Sequence, residues 1–485
     1  MQTRSLIRIL GLLITIFSTT LLIPALIAAL YDDGGGVAFV QSFIVCVIIG
    51  LFCWYPNREH KRDLKVRDGF VVVVMFWLAL GSVGAVPFVL SDKPDMSLTD
   101  SVFESFSALT TTGATVITGL DNLPKAILFY RHLLQWLGGM GIIVLAVAVL
   151  PMLGVGGMQL YRAETPGPVK DSKMTPRIAE TAKALWYIYL VLTTLCSLAY
   201  WAAGMTPFDA ICHSFSTIAI GGFSTHDASI GYFDSSLINL ICVIFLLISA
   251  INFSLHYAAI IRPKQMLRSY FKDPEMRLFF LFQLALVVIV FSVLYRENIY
   301  NSVDEAFDHA LFQAVSVSTT AGFGTQSFSG WPLFLPLLLI FASFVGGCAG
   351  STGGGMKVIR VVLLFLQGAR ELKRLVHPRA VYAIRLGNKA LPDRVVDAVW
   401  GFFAAYALVF VICMLALLFT GLDDITAFSA TAASLNNLGP GLGEVAAHYG
   451  DINDAAKWIL VIAMLFGRLE IFTLLVLFTP VFWKN

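Results

Sequence analysis

The sequence predicts an all-α membrane protein with ten transmembrane helices and four short re-entrant helices arranged as a fourfold repeat. Three observations predict this fold class. Hydrophobic residues make up 58% of the 485 residues and charged residues only 13%, roughly half the charged share of a soluble domain. Apolar runs long enough to cross a bilayer recur along the chain. Glycine-rich loops follow four shorter segments that lie between these runs.

Ten segments are long and apolar enough to span a membrane at about 20 residues per crossing. The first follows a basic start that resembles a signal peptide, but its apolar run is too long for a typical signal sequence, so we interpret it as a membrane helix. The eighth is expected to be long and broken. The segments are 8–30, 37–55, 69–91, 127–153, 182–204, 235–261, 276–295, 332–366, 395–420 and 455–481.

Basic residues are concentrated in the connectors on one side of this topology, at 57–67, 154–181, 262–277 and 368–394. The opposite connectors carry the acidic sequences "YDDGGG", "SDKPDMSLTD" and "GLDD". Lys and Arg are enriched in cytoplasmic loops of membrane proteins. The asymmetry therefore predicts that both termini lie in the cytoplasm.

Four segments are too short to cross and lie between paired helices from the third crossing onward. Cap-type residues such as Ser97, Thr99 and Thr206 mark the starts of two of them. Each segment ends in a glycine loop, which indicates a re-entrant helix followed by irregular backbone. The segments are residues 97–112, 206–221, 303–321 and 424–438.

The four glycine loops are in register and repeat roughly every 110 residues. They align on Gly113, Gly222, Gly322 and Gly439. Phe106 and Phe215 lie seven residues before their glycines, and Ser107, Ser216 and Ser316 lie six residues before theirs. We expect a two-helix extension at 1–68 and four repeats at 69–160, 161–265, 266–375 and 376–485.

Irregular backbone at membrane depth is tolerated only where it is buried in protein or lines a water-filled cavity. Four loops satisfy this condition together when they converge on one axis, as in a tetrameric cation channel folded from one chain. The carbonyl ends of the short helices would then face the axis, and loop carbonyls would replace water around a cation. Close helix packing is the competing interpretation of any single glycine loop.

The loops "TTTGAT", "AIGGFS", "TTAGFG" and "NNLGPG", in four repeats after two extra helices, resemble the Trk/Ktr/HKT superfamily of potassium transporters over essentially the whole chain. The prefix and length resemble its TrkH branch. The resemblance implies K⁺ uptake across a bacterial inner membrane through a selectivity filter. It places the filter backbone at Thr111, Thr112, Gly113, Ile220, Gly221, Gly222, Thr320, Ala321, Gly322, Asn437, Leu438 and Gly439.

The first and fourth loops carry further implications within this resemblance. Family members with serine at the first glycine tend to favour sodium, so Gly113 points to potassium. The fourth loop departs most from the others because Asn-Asn-Leu precedes its glycine. Exact fourfold coordination of an ion is therefore not expected.

The glycine-rich sequence "FVGGCAGSTGGGMKV" in the eighth crossing cannot remain a plain lipid-facing helix. It lacks the G-K-[ST] of a phosphate loop. The family resemblance implies an intramembrane loop that obstructs the pore below the filter. We assign this gating role to residues 346–357, including Gly346, Gly347, Gly350, Ser351, Thr352, Gly353, Gly354, Gly355 and Lys357.

Arg468 lies inside the tenth predicted crossing. A charge at mid-helix costs a few kcal/mol, so it should face water or a partner. Glu470 is two residues away and points roughly to the other side of a helix, so it is not an obvious partner. An interhelical structural contact is one interpretation. The resemblance implies another, a positive charge that faces the ion path and opposes passage.

The resemblance also implies a homodimer gated by a cytoplasmic nucleotide-binding subunit of Rossmann type, similar to TrkA. The basic connectors suit an acidic partner or anionic lipid equally. The seven cysteines are interpreted as reduced buried thiols, and neither they nor the eight histidines have metal-ligand spacing. We therefore expect K⁺ as the transported ion, no organic cofactor and no nucleic-acid partner.

Two other functional classes are an enzyme and a secondary symporter. No paired acids, catalytic triad or metal cluster supports an enzyme, so the chain is not expected to be one. A secondary symporter coupling K⁺ to H⁺ or Na⁺ is the alternative to a channel. Such coupling normally needs an intramembrane carboxylate, and Glu104, Asp308 and Glu470 are the candidates.

Overall fold

The computed structural model describes residues 3–60, 66–144, 178–261, 264, 266–387 and 389–483. Most of the predicted basic connector 154–181 lies outside these ranges. The end of the fourth predicted crossing, at 145–153, and the predicted boundary between the first two repeats also lie outside the described residues.

The described residues fold mainly as helices, with one short antiparallel hairpin of β1 (Arg385–Leu386) and β2 (Lys389–Ala390). The helices are α1 (Thr3–Thr20), α2 (Leu22–Tyr31), α3 (Gly36–Trp54), α4 (Val66–Gly84), α5 (Val86–Val89), α6 (Leu98–Leu109), α7 (Lys125–Val144), α8 (Ile178–Ala202), α9 (Pro207–Ala219), α10 (Ser236–Ser249), α11 (Phe253–Ile261), α12 (Met266–Lys272), α13 (Pro274–Arg296), α14 (Val303–Ser318), α15 (Leu335–Val345), α16 (Val358–Val376), α17 (Asp393–Phe419), α18 (Asp424–Leu435), α19 (Asp454–Arg468), α20 (Phe472–Leu475) and α21 (Pro480–Trp483). Short 3-10 turns occur at Tyr55–Asn57, Leu120–Asn122, Ser229–Phe233, Phe328–Gly330, Gly443–Val445 and Val476–Phe478.

Within the described ranges, six helical segments are long and apolar enough to cross a membrane individually. They are Thr3–Tyr31, Gly36–Asn57, Arg67–Val89, Lys183–Ala202, Pro274–Arg296 and Val395–Phe419. Two bent helix pairs, α10 with α11 and α19 with α20 plus its 3-10 turn, raise the count to eight if each pair is one span. The full set of ten crossings therefore stays a prediction.

The four short helices lie where the sequence predicted them. They are α6, α9, α14 and α18, and each ends shortly before its predicted end. Each begins at a side-chain cap, in which Ser97, Thr206, Ser302 and Asp423 accept hydrogen bonds from the first-turn backbone. The predicted caps Ser97 and Thr206 are confirmed, whereas Thr99 lies inside α6.

The helices that follow the short helices are broken more often than predicted. A break was expected only in the eighth crossing, but the bent pairs turn by 88° between α10 and α11 and by 107° after α19. The break between α10 and α11 has a tertiary cause. Cys348 N donates to Ala250 O at 2.8 Å, and Phe253 N donates to Gly350 O at 3.0 Å, so the freed backbone groups pair with the 346–357 segment.

The N-terminal helices α1 and α3 pack as a close antiparallel pair beside the repeats. A Cβ atom at Gly11 of α1 would lie 2.6 Å from the carbonyl oxygen of Gly50 in α3, which is closer than real Cβ contacts come. Small residues allow helix backbones to approach in this way within a membrane. The first predicted crossing divides into α1 and α2 near Pro24, which lacks the N–H that a continuous helix requires.

A fully buried ion pair joins the first short helix to α7. Arg131 Nε lies 2.7 Å from Glu104 Oε1, and both side chains have no exposed surface. Thr115 Oγ1 donates to the same carboxylate at 3.0 Å and accepts from Arg131 Nη2 at 3.0 Å. Arg131 Nη1 also donates to Ser224 O at 3.3 Å. One arginine therefore connects α6, α7 and the backbone after the first two glycine loops.

Replacing Arg131 with Met should destabilise the fold by about 3–5 kcal/mol, because it leaves the Glu104 carboxylate buried without its cation. The free energy of unfolding in detergent measures this effect. Arg296→Met is the matched control, since that arginine pairs with Glu297 while 73% exposed and should cost about 1 kcal/mol or less. Equal losses in the two variants would contradict a structural role for the buried pair.

Candidate ion pathway

The four glycine loops share an unusual backbone pattern at two aligned positions. Positive φ angles occur at Thr111 and Gly113, at Ile220 and Gly222, at Thr320 and Gly322, and at Asn437 and Gly439. The residue between each pair lacks a positive φ. Left-handed backbone is uncommon outside glycine. Its recurrence at the same positions gives all four loops one alternating conformation.

The loops close into a ring through contacts that leave no space for a side chain. A Cβ atom at Gly113 would collide with the carbonyl oxygen of Gly221, and one at Gly222 would collide with that of Ala321. The same holds for Gly322 against Leu438 and for Gly439 against Thr112. Each glycine therefore packs on the carbonyl of the next repeat, and the fourth repeat packs on the first.

Each loop also folds back on the short helix before it. The residue between the two left-handed positions donates its N–H to a carbonyl near the helix end, at distances between 2.7 and 2.9 Å. The four pairs are Thr112 to Ser107, Gly221 to Ser216, Ala321 to Ser316, and Leu438 to Ala433. These bonds satisfy carbonyls that a helix end would otherwise leave unpaired.

The recurring serine six residues before the glycine has a structural role in two loops. Ser107 Oγ donates to Ala114 O at 2.5 Å, and Ser316 Oγ donates to Phe323 O at 2.7 Å. Alanine replaces this serine in the fourth repeat at position 433. The hydroxyl oxygen of Ser216 has no hydrogen-bond partner among the described residues.

Side chains that the sequence did not single out donate hydrogen bonds to backbone carbonyls of the ring. Gln135 Nε2 donates to Gly221 O at 2.5 Å, and Tyr449 Oη donates to Gly439 O at 2.7 Å. Asn437 Nδ2, which belongs to a predicted filter position, donates to Thr112 Oγ1 at 2.9 Å. The available signal for Gln135 was a polar residue inside an apolar crossing. The bracing differs from loop to loop, so the ring is only approximately fourfold.

The predicted gating segment is a loop that lies against the ring. It begins at Gly346, which ends α15 with a φ of 67°, and runs to Lys357, which precedes α16 with a φ of 76°. Thr352 Oγ1 donates to Ile218 O at 2.9 Å, Gly354 N donates to Thr320 Oγ1 at 2.7 Å, and Gly355 N donates to Asn436 O at 3.0 Å. The loop therefore contacts the second, third and fourth repeats near the ends of their short helices.

The other side of this loop is anchored to the surrounding helices. Besides the two backbone bonds to the break between α10 and α11, Ala349 N donates to Glu275 Oε1 at 2.7 Å. Lys357 Nζ donates to Gly353 O within the loop itself. Glu275 was not among the predicted intramembrane carboxylates, because it stands at the start of α13 next to a basic connector.

Arg468 completes the contacts of the loop with the first repeat. Its side chain is buried, Nη2 donates to Gly138 O of α7 at 2.7 Å, and Nη1 donates to Thr352 O at 3.3 Å. Glu470 instead pairs with Arg360, so the expectation that it is not the partner of Arg468 is met. Arg468 is thus a cation that touches both the loop and a helix of the first repeat.

The three carboxylates considered for ion coupling all have structural partners. Glu104 pairs with Arg131, and Glu470 pairs with Arg360. Asp308 Oδ2 accepts a hydrogen bond from Asn239 Nδ2 at 2.7 Å. Each partner accounts for the position of its carboxylate without a coupled proton.

A titratable contact joins the segments that follow the first two loops. His226 hydrogen-bonds to Asp121 and lies 3.6 Å from Asp209 Oδ1. Burial lowers the pKa of His226, but the hydrogen bonds to Asp209 and Asp121 outweigh burial, so its pKa is raised. The imidazole therefore stays protonated to a higher pH than a free histidine, and its attraction to the two carboxylates weakens as pH rises through that pKa.

All seven cysteines are free thiols, as the sequence suggested. Six are buried, and Cys53 is partly exposed. Among the described residues, no group of three or more His, Cys, Asp or Glu side chains could hold a resident metal ion.

Comparison with known proteins identifies the family. The family model "TrkH: Cation transport protein" matches residues 35–484. The chain is 69% identical to the Trk system potassium uptake protein TrkH of Vibrio parahaemolyticus and 62% identical to that of Escherichia coli K12, over the full length of each. It is 41% identical to the Trk system potassium uptake protein TrkG of Escherichia coli K12, covering 98% of this chain and 97% of the relative.

A solved structure supports the same assignment at the level of the fold. The crystal structure of the potassium transporter TrkH from Vibrio parahaemolyticus superposes with a TM-score of 0.92 at 66% identity, and the match covers 100% of both chains. The all-α membrane fold class and the family resemblance predicted from the sequence are confirmed. The relatives are named as transport proteins rather than enzymes. The chain belongs to the TrkH family of cation transport proteins.

Proposed function

We propose that this protein takes up K⁺ across the bacterial inner membrane through a pore whose selectivity filter is the ring of four glycine loops. The closed chain of glycine-to-carbonyl contacts from one repeat to the next is the observation that carries this proposal. Close relatives named as potassium uptake proteins support potassium as the ion.

The chemistry of the ring suits a dehydrated cation. Backbone that alternates between left-handed and other conformations can direct successive carbonyls to one side, where they replace water around the ion. The C-terminal ends of four short helices add partial negative charge beside the ring. The filter positions are Thr111–Gly113 and their counterparts in the other three repeats.

The loop at 346–357 acts in this proposal as the gate on the cytoplasmic side of the filter. Its contacts with the second, third and fourth repeats, and the contact of Arg468 with the first repeat, support a closed arrangement. Arg468 has two roles here: it holds Thr352 O in place, and its charge opposes a cation in the same space. Arg468 is therefore proposed to act both as a structural tie and as an electrostatic barrier.

Regulation is proposed to come from outside the chain. The helix α16 leads from the loop into the basic connector 368–394, so a subunit bound there can pull on the gate. We propose a homodimer with cytoplasmic termini and a nucleotide-binding partner similar to TrkA. The proposed two-helix extension and the four proposed repeats form the membrane part of this assembly. The word "system" in the names of the relatives is consistent with additional subunits.

Coupled symport with H⁺ or Na⁺ is not proposed. Each of the three carboxylates considered for coupling has a partner that explains its position. The reversal potential of the reconstituted protein separates the two mechanisms. A uniport channel follows the potassium gradient alone, whereas a symporter responds also to the coupling ion.

Replacing Gly113 with Ser should raise the permeability to Na⁺ relative to K⁺ several-fold. The added Cβ atom collides with Gly221 O, a backbone atom, so the neighbouring loop must shift and the ring loses its spacing for K⁺. Fluxes of both ions into proteoliposomes measure the ratio.

Gly119→Ser is the matched control for this substitution. Gly119 also has a positive φ, of 71°, but no atom lies within 4 Å of an added Cβ, so only backbone strain is introduced. The ratio should remain that of the wild type. An unchanged ratio in Gly113→Ser, with equally silent changes at the other three ring glycines, would make the loops packing elements and refute the pore.

Arg468→Ala should increase K⁺ flux in the absence of a regulatory subunit, because it removes both a charge and a tie to Thr352 O. In a partly dehydrated path the repulsion between guanidinium and K⁺ is roughly fourfold stronger than in water at equal distance. Arg468→Lys keeps the charge and should retain much of the block. ⁸⁶Rb⁺ uptake per correctly folded protein measures the effect.

The two variants also test whether Arg468 has a purely structural role. Loss of a structural tie alone would lower folding yield and flux together. Equal or reduced uptake per folded molecule in Arg468→Ala would refute the barrier, and equal uptake in the Lys and Ala variants would refute the contribution of charge.

A further inference from the structure

Gln135 occupies a defined position between the first two repeats. It lies on α7, is completely buried, and makes two hydrogen bonds to the second glycine loop. Its Nε2 donates to Gly221 O at 2.5 Å, and its Oε1 accepts from Phe223 N at 3.2 Å. Because a carbonyl can only accept and an N–H can only donate, the two partners fix the orientation of the amide.

The carbonyl that Gln135 holds is a member of the ring. Gly221 O is the atom on which Gly113 packs, and it corresponds to the carbonyls of Thr112, Ala321 and Leu438. Among the described residues, those three equivalent oxygens accept no hydrogen bond. One carbonyl of the four is therefore engaged by a side chain and the others are not.

This difference has an electrostatic and a geometric consequence. A carbonyl oxygen has two lone pairs, and the bond from Gln135 occupies part of that capacity, so less negative potential remains for a cation. The same bond fixes the distance of Gly221 O from the centre of the ring. Selectivity between K⁺ and Na⁺ depends on the field strength of the coordinating carbonyls and on cavity size.

We propose that Gln135 is a positioning residue that sets the ion selectivity of the ring by holding the Gly221 carbonyl. The proposal rests on the proposed function of the ring as a filter. Without the bond, Gly221 O is free to move towards the axis. The ring then adapts to the smaller ion, and discrimination against Na⁺ falls.

The side chain of Gln135 also fills space against the loop, because a Cβ atom at Gly221 would lie 2.6 Å from Gln135 Cδ. A test must therefore keep the volume and remove only the hydrogen bonds. Gln135→Met does this, since methionine is unbranched and similar in length. The sulfur cannot donate to Gly221 O.

Gln283→Met is the matched control. Gln283 is also a buried glutamine, on α13, and its Oε1 accepts a hydrogen bond from Ser318 Oγ at 2.8 Å, but it makes no hydrogen bond to the ring. Both variants lose a buried amide, so a general effect on folding is common to them. Only Gln135→Met should change the ratio of Na⁺ to K⁺ permeability.

The measurement is the Na⁺ to K⁺ permeability ratio of the full-length protein, from reversal potentials under mixed-ion gradients. We expect a several-fold increase in Gln135→Met and the wild-type ratio in Gln283→Met. A wild-type ratio in Gln135→Met, or an equal increase in both variants, would overturn the proposal. Gly113→Ser is measured in parallel: if it alters the ratio while Gln135→Met does not, the positioning role fails and the filter remains. If neither alters it, the positioning role fails, and the filter assignment fails as well when changes at Gly222, Gly322 and Gly439 are equally silent.

If Gln135→Met does not fold, Gln135→Glu replaces it. The carboxyl group keeps the shape of the amide and can donate to Gly221 O only while it is protonated. The Na⁺ to K⁺ ratio of this variant should therefore rise between about pH 6 and about pH 9 relative to that of the wild type. A ratio that follows the wild type over this range would overturn the proposal.

Discussion

Each of the four glycine loops packs through its glycine on a backbone carbonyl of the next loop, and the surrounding helices must accommodate this contact. It occurs four times and links the fourth repeat back to the first. A carbonyl oxygen occupies the place where any other residue would have its Cβ, so glycine is needed at these positions for space as well as for the positive φ. The helices around the ring hold four loops at this separation.

Different side chains hold the loops of the different repeats in place. The first repeat uses the buried pair of Arg131 and Glu104, the second loop is held by Gln135, and the fourth by Tyr449. Buried polar groups of this kind are costly unless every partner is present. Approximate fourfold symmetry of the backbone therefore coexists with side-chain hydrogen bonds that differ from loop to loop.

The sequence predicted the features that recur at regular intervals along the chain. Four short helices, the register of Gly113 with its three counterparts, and the caps at Ser97 and Thr206 all follow from local patterns repeated along the chain. The breaks after α10 and α19 were not predicted, because no glycine or proline cluster marks them. The first forms because the 346–357 loop supplies hydrogen bonds to Ala250 and Phe253, which is a tertiary effect.

Single polar residues in apolar helices were the other omission. The positions of Gln135 and Glu275 in the sequence do not show whether each side chain holds a loop or is an ordinary buried amide or acid. Their partners are also distant in sequence. Arg468 was identified because charge at mid-helix is rare, but its contacts with Gly138 and Thr352 required the fold. Local sequence thus identified the ring and the loop, whereas tertiary structure was needed to find what holds them.

In the proposed pore, the four loops coordinate one ion on a common axis. Anomalous scattering from crystals of the protein grown in Rb⁺, with Na⁺ crystals for comparison, tests this arrangement. We expect a Rb⁺ peak enclosed by the carbonyl oxygens of Thr112, Gly221, Ala321 and Leu438, and its loss in Na⁺. A ring without a peak, with Rb⁺ bound elsewhere between the helices, would refute the proposed pore.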